Sequence, residues 1–186
     1  MARLFAWKPP LTIRGRKFKG LRGWAGKPSH PPLTDVPVAC YILVALFDVI
    51  SVATEGRTST DFFRAGTFVI IAGAVASLGA IATGFWDWLK STPKHTQAWR
   101  TANAHMAIMG TVTVVVLIDI VVRLGAPRGE GAGVGALILS LLAAALVTVG
   151  AAFGGSLVYD YAFNIEQDFG HAYEVSEEDL LPGHGK

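Results

Sequence analysis

The sequence predicts an all-α fold, an integral membrane bundle of four helices, and three observations support this. Four stretches are apolar over lengths that cross a hydrocarbon core of about 30 Å at about 1.5 Å per residue. Hydrophobic residues make up 52% of the 186 residues, which leaves room for one membrane unit and no separate domain. Backbone groups inside a bilayer must bond within their own segment, which favours helices. The stretches are residues 36–54, 65–86, 101–118 and 131–159.

The four helices are expected to pack closely. The first is predicted to begin at Asp35, a residue type that caps helix N-termini, with Pro37 in the first turn. The second carries small residues at four-residue intervals from Ala72 to Gly84, and the fourth repeats this pattern, which is typical of tight helix pairing. The predicted helices cover residues 35–54, 63–89, 98–123 and 132–161, within a membrane domain of residues 35–163.

Basic residues are concentrated ahead of the first helix. Residues 1–34 form a Pro-rich arm that holds eight of the 16 Lys and Arg residues, and residues 90–100 add three more. Because cytoplasmic flanks collect Lys and Arg, we expect both termini in the cytoplasm. We also expect the arm to bind anionic lipid headgroups and, lacking a signal-peptide core, to be retained. Residues 164–186 are predicted to form an acidic, soluble tail.

Charged residues inside the spans need partners. Asp48, near the end of the first helix, is predicted to pair with Arg64 at the start of the second. Asp119 and Arg123 are four residues apart, which predicts a local ion pair at the membrane interface. Cys40 is the only cysteine, so no intrachain disulfide can form.

Following the helices back and forth places a polar constellation at the cytoplasmic end. His105 is the most unusual member, because it lies six residues past Trp99 and therefore about 9 Å inside the boundary. Ionisable groups at such depth are candidates for function. The predicted constellation contains His30, Asp87, Trp88, His95, His105, Tyr159 and the glycine turn at 154–156. His95, in a connection, is expected to be solvated, as are His171 and His184 in the tail.

Four motifs, in order, resemble those of a bacterial membrane family called domain of unknown function 2231. G-K-P-S-H-P at 26–31, followed by L-T-D-V-P at 33–37, is similar to the family opening G-H-P-x-H-P-x-L-V-x-F-P. The resemblance continues through T-G-F-W-D-W at 83–88, the segment 100–105 and G-G-S-L-V-Y at 154–159, and covers roughly residues 26–165.

This resemblance implies a multi-pass protein of a bacterial plasma membrane. Some relatives are joined to a Rieske-type iron–sulfur domain, which implies a redox setting. With a single cysteine, this chain lacks the ligands of such a cluster. Lys27 replaces the first histidine of the family opening, and Ser156 replaces a residue that is often histidine, so a site requiring those ligands is not expected.

Two functions fit the pattern. No hydrolase or transferase motif is present, so the first prediction is a non-enzymatic accessory subunit of a membrane assembly, redox or respiratory. Its small-residue ridges would then contact other membrane subunits or a second copy, and no nucleic acid is expected as a partner. In that case His30, Asp87, Trp88 and His105 bond to one another and fasten the helix ends.

The alternative is a cofactor at the same residues. Haem b would be bound by His105 and His30 as axial ligands, with Asp87, Trp88 and Tyr159 nearby. Two further alternatives are a Zn²⁺ or Fe²⁺ site formed by His30, Asp87 and His105, and a quinone-like ligand held by His105 between Trp88 and Tyr159.

Overall fold

The computed structural model describes residues 28–164, and within that range the chain forms four helices joined by short connections. All four are long and apolar enough to cross a membrane, which confirms the predicted fold class. The predictions for the basic arm before residue 28 and for the acidic tail, including His171 and His184, lie outside the described residues. The helices are α1 (His30–Ala53), α2 (Gly56–Ser91), α3 (Gln97–Gly125) and α4 (Val134–Tyr159).

The start of α1 differs from the prediction. The helix begins at His30 with Ser29 at the N-cap position, so the prediction that Asp35 caps it is wrong. Pro31 and Pro32 occupy the first turn, where a backbone N–H has no partner within the helix and its loss costs nothing. The last residues of the segment predicted to be a Pro-rich arm therefore begin the helix, and this places His30 on α1.

The helices are arranged as two antiparallel hairpins. α1 packs most extensively against α2, and α3 against α4, as expected for neighbours joined by short connections. The hairpins meet mainly through α1 and α4, whereas contact between α2 and α3 is sparse. The apolar core between them contains Tyr41, Val44, Ile70, Val112, Val115, Val116, Ala143 and Val147.

A buried ionic cluster joins α1 to α3 at the end where α1 finishes. Arg123 Nη1 donates to Asp48 Oδ1 at 3.1 Å, and Arg123 Nη2 donates to Asp48 Oδ2. Arg123 Nε and Nη2 also donate to Asp119 Oδ1 and Oδ2, at 2.9 and 3.2 Å. All three side chains are 0% exposed, so the cluster links the two hairpins inside the bundle.

The cluster corrects one prediction and confirms another. The predicted Asp48–Arg64 pair is wrong, because Arg64 is exposed and its guanidinium lies over the Phe68 ring, 5.8 Å from the centroid. The Asp119–Arg123 pair is confirmed, although it is buried and not interfacial. Gly66 of α2 makes room for the cluster, since a β-carbon there would lie 3.3 Å from Arg123 Nη1.

Candidate functional site

The first half of the candidate site lies within the hairpin of α1 and α2. His30 Nδ1 is 2.9 Å from the main-chain oxygen of Ala80 on α2. Because a carbonyl oxygen can only accept, Nδ1 carries the proton and Nε2 keeps its lone pair when the ring is neutral. Gly84 lies against this ring, since a β-carbon there would stand 2.6 Å from Cε1 and 2.8 Å from Nδ1.

The second half repeats this arrangement within the hairpin of α3 and α4. His105 Nδ1 is 2.9 Å from the main-chain oxygen of Gly150 on α4, so its Nε2 also keeps the lone pair. Gly154 lies against the ring, and a β-carbon there would stand 3.2 Å from Cε1. A side chain at either contact glycine would therefore press on its imidazole.

The two half-sites face each other. The ring centroids of His30 and His105 are 6.2 Å apart, and the ring planes are inclined at 80°. Both residues are half-buried, and neither Nε2 has a hydrogen bond to another of the described residues. The described structure thus brings together two imidazoles whose Nδ1 atoms are each hydrogen-bonded to a main-chain oxygen of the neighbouring helix.

The other predicted site residues are placed as follows. Asp87 is buried at 5% exposure on α2. Trp88 donates its ring N–H to Asn103 Oδ1 at 2.8 Å, which joins α2 to α3. Tyr159 is 87% exposed, so its side chain does not line a buried site beside the histidines. His95 is exposed in the connection before α3, as expected for a solvated histidine.

These positions contradict two predictions from the sequence: the side-chain hydrogen-bond network and the three-ligand metal site. The predicted mutual bonding of His30, Trp88 and His105 is wrong, because both histidines bond to carbonyl groups and Trp88 bonds to Asn103. The three-ligand metal site is also wrong, since residues 28–164 contain no group of three His, Cys, Asp or Glu side chains able to hold a metal ion.

Sequence reasoning missed the partners of the imidazoles. The two acceptors are main-chain oxygens, which no side-chain pattern reveals. The contact glycines could have been found, because Gly84 belongs to T-G-F-W-D-W and Gly154 to G-G-S-L-V-Y. Each glycine follows its acceptor carbonyl by four residues, one helical turn. Two of the four motifs that support the family resemblance therefore contain the glycines that pack on the histidines.

The fold and site define a polytopic helical membrane protein with a histidine pair between two hairpins. The chain belongs to the family described as Predicted membrane protein (DUF2231), whose model matches residues 26–167. The match confirms the family resemblance drawn from the four motifs. Neither a curated protein nor a solved structure matches the chain.

Proposed function

We propose that this protein binds haem b between its two hairpins, with His30 and His105 as axial ligands, and that it transfers electrons at one face of a bacterial plasma membrane. The observation that carries the proposal is the histidine pair itself. Its Nδ1 atoms bond to carbonyls of α2 and α4, and its ring centroids are 6.2 Å apart in an edge-to-face arrangement.

The proximity of the two rings supports the proposal. Their centroids are 6.2 Å apart and their planes are inclined at 80°. His30 and His105 would hold the haem through Nε2, the nitrogen that keeps its lone pair in each neutral ring.

The hydrogen bonds to Ala80 and Gly150 suit ligand imidazoles. An Nδ1–H bond to a main-chain oxygen fixes the tautomer, orients the ring and makes Nε2 more basic. Gly84 and Gly154 let α2 and α4 approach the rings closely, since a β-carbon at either position would press on its imidazole. A bound haem would supply one-electron chemistry. The chain's own residues would hold both imidazoles in a fixed orientation in a half-buried setting.

The histidine end is inferred to face the cytoplasm. Lys90, Lys94 and Arg100 lie at this end, and Lys90 Nζ stands over the Trp86 ring at 5.4 Å, as in an interfacial belt. At the other end Arg57 is paired with Asp61. Binding of the basic arm to anionic headgroups stays a prediction. Contact with further membrane subunits or with a second copy, and a purely accessory role, also stay predictions.

The test is the absorbance spectrum of the full chain purified in mild detergent from haem-supplied cells, oxidised and then reduced with dithionite. The proposal expects a Soret band and a sharp α band on reduction. Replacing His30 or His105 by Ala leaves one axial ligand, so each variant should lose or shift the α band. His95→Ala is the matched control, because His95 is exposed, and its spectrum should equal that of the wild type.

Absence of both bands from well-folded protein would reject haem. Bands that survive unchanged in the His105→Ala variant would reject the ligand assignment. The accessory role predicts instead that stoichiometric partner chains copurify with a colourless protein.

A further inference from the structure

The two hairpins carry the same arrangement in the same register. His105 follows His30 by 75 residues, and Gly154 follows Gly84 by 70. In each hairpin the histidine bonds to the carbonyl located four residues before its contact glycine. Positions on α3 therefore correspond to those on α1 at an offset of 75, and positions on α4 to those on α2 at an offset of 70.

Burial supports this register independently. Of the six buried positions on α1, four correspond to buried positions on α3, and of the six on α2, five correspond to buried positions on α4. On α1 and α3 these are Pro37 and Val112, Tyr41 and Val116, Val44 and Asp119, and Asp48 and Arg123. On α2 and α4 these are Gly66 and Ala136, Ile70 and Ser140, Gly73 and Ala143, Ala80 and Gly150, and Asp87 and Leu157.

The correspondence defines an approximate two-fold axis. Since α1 and α3 run in the same direction, the axis that relates the hairpins runs along the bundle, as in parallel repeats of membrane proteins. The symmetry is approximate, because α1 contacts α4 more extensively than α3 contacts α2. At one end of this axis the corresponding residues His30 and His105 lie close together, with ring centroids 6.2 Å apart.

Charge breaks the symmetry at the other end of the axis. Asp48 and Arg123 are corresponding positions, since they too are 75 residues apart, and they contact each other across it. If the first hairpin paired with its own copy from another molecule, the same position would place Asp48 against Asp48, and like charges in such a buried setting are strongly disfavoured. Two copies of the second hairpin would each bring Asp119 with Arg123, so their charges would balance.

We propose that the Asp48–Arg123 contact selects the pairing of the first hairpin with the second and rejects the pairing of the first hairpin with its own copy. This assigns the cluster a role in partner choice, by attraction to the correct hairpin and repulsion from the wrong one. Asp119, four residues before Arg123, gives the guanidinium a second carboxylate within its own helix.

The test uses differently tagged full chains coexpressed in one membrane. Asp48→Arg gives a chain with arginine at both corresponding positions, and Arg123→Asp gives one with aspartate at both. With Asp119 included, the Asp48→Arg chain holds two arginines and one aspartate in the cluster, and the Arg123→Asp chain holds three aspartates and no cation. Exchange of hairpins between the two variants would restore an unlike contact in each half. We expect the two variants to copurify in one-to-one ratio, at least about tenfold more than two tagged wild-type chains.

Two further proteins keep the test decisive. The double variant Asp48→Arg with Arg123→Asp should be a monomer with a thermal midpoint close to that of the wild type, because the pair is reversed and not removed. Arg57→Asp is the matched control, since this side chain at the same end is 94% exposed, and it should not promote copurification. Rescue of an unstable single variant by its partner would support the proposal.

Three outcomes would overturn the pairing proposal. The single variants could remain monomers when coexpressed, or wild-type chains could exchange hairpins as readily as the variants do. The double variant could also dimerise or fail to accumulate. None of these readouts depends on a bound cofactor, so this proposal can fail while the haem proposal stands.

Discussion

Gly84→Ala tests the candidate site most directly, because Gly84 lies against the His30 ring. A β-carbon there would stand 2.6 Å from Cε1. Carbon atoms in contact are about 3.5–4.0 Å apart, so the ring must move by about 1 Å. Such a movement is large compared with the tolerance of the 2.9 Å hydrogen bond to Ala80, and the bond should be lost.

The cost can be worked out from the contacts. Loss of the hydrogen bond is worth about 0.5–1.5 kcal/mol, and overpacking adds about 1–3 kcal/mol. The helix preference of alanine over glycine returns at most about 1 kcal/mol. Gly84→Ala should therefore destabilise the bundle by roughly 0.5–4.5 kcal/mol. Gly154→Ala should cost less, because its β-carbon would stand 3.2 Å from the His105 ring.

The assay is thermal unfolding of the purified variants in one detergent, with Gly110→Ala as the control because a β-carbon at Gly110 meets nothing within 4 Å. The midpoint of Gly110→Ala should equal or exceed that of the wild type, followed by Gly154→Ala and then Gly84→Ala. If haem is bound, the absorbance shift should follow the same order. A Gly84→Ala protein as stable as Gly110→Ala would refute the reasoning.

Three further predictions follow from other contacts. Arg123→Met leaves the buried Asp48 carboxylate without its cation and should cost about 3–5 kcal/mol in thermal or denaturant unfolding; a loss below about 1 kcal/mol would contradict the burial of the cluster. Asn103→Ala removes the acceptor of the Trp88 ring N–H and should cost about 1 kcal/mol, with a change in tryptophan emission as the second readout. A single cysteine introduced into the 92–96 connection should react with a membrane-impermeant reagent only from the cytoplasmic side, and labelling from the outside would reverse the orientation.

Much of the fold could be predicted from the sequence. Four uninterrupted apolar stretches leave a bilayer-spanning chain few alternatives to four helices. Counting their direction placed His30 and His105 at one end, because His30 was expected just ahead of the first helix and His105 near the start of the third. The depth of His105 then singled it out, and its ring does face that of His30.

The remaining details depend on helix rotation, which apolar stretches specify poorly. Asp48 has two arginines near its end of the bundle, and only the rotation of each helix decides that Arg123 faces inward and Arg64 outward. The main-chain acceptors of the histidines depend on the same rotations. The start of α1 was missed because prolines break helices in the interior but are favoured in the first turn.

The position of the histidine pair along the bundle limits any electron path. All three histidines among residues 28–164 lie toward one end, and Asp48 lies 18 residues beyond His30 on the same helix, about 27 Å away. The space between is filled by aliphatic side chains and a buried tyrosine. A redox centre held by this pair would therefore exchange charge with donors and acceptors in a single leaflet, and would not by itself build a transmembrane voltage.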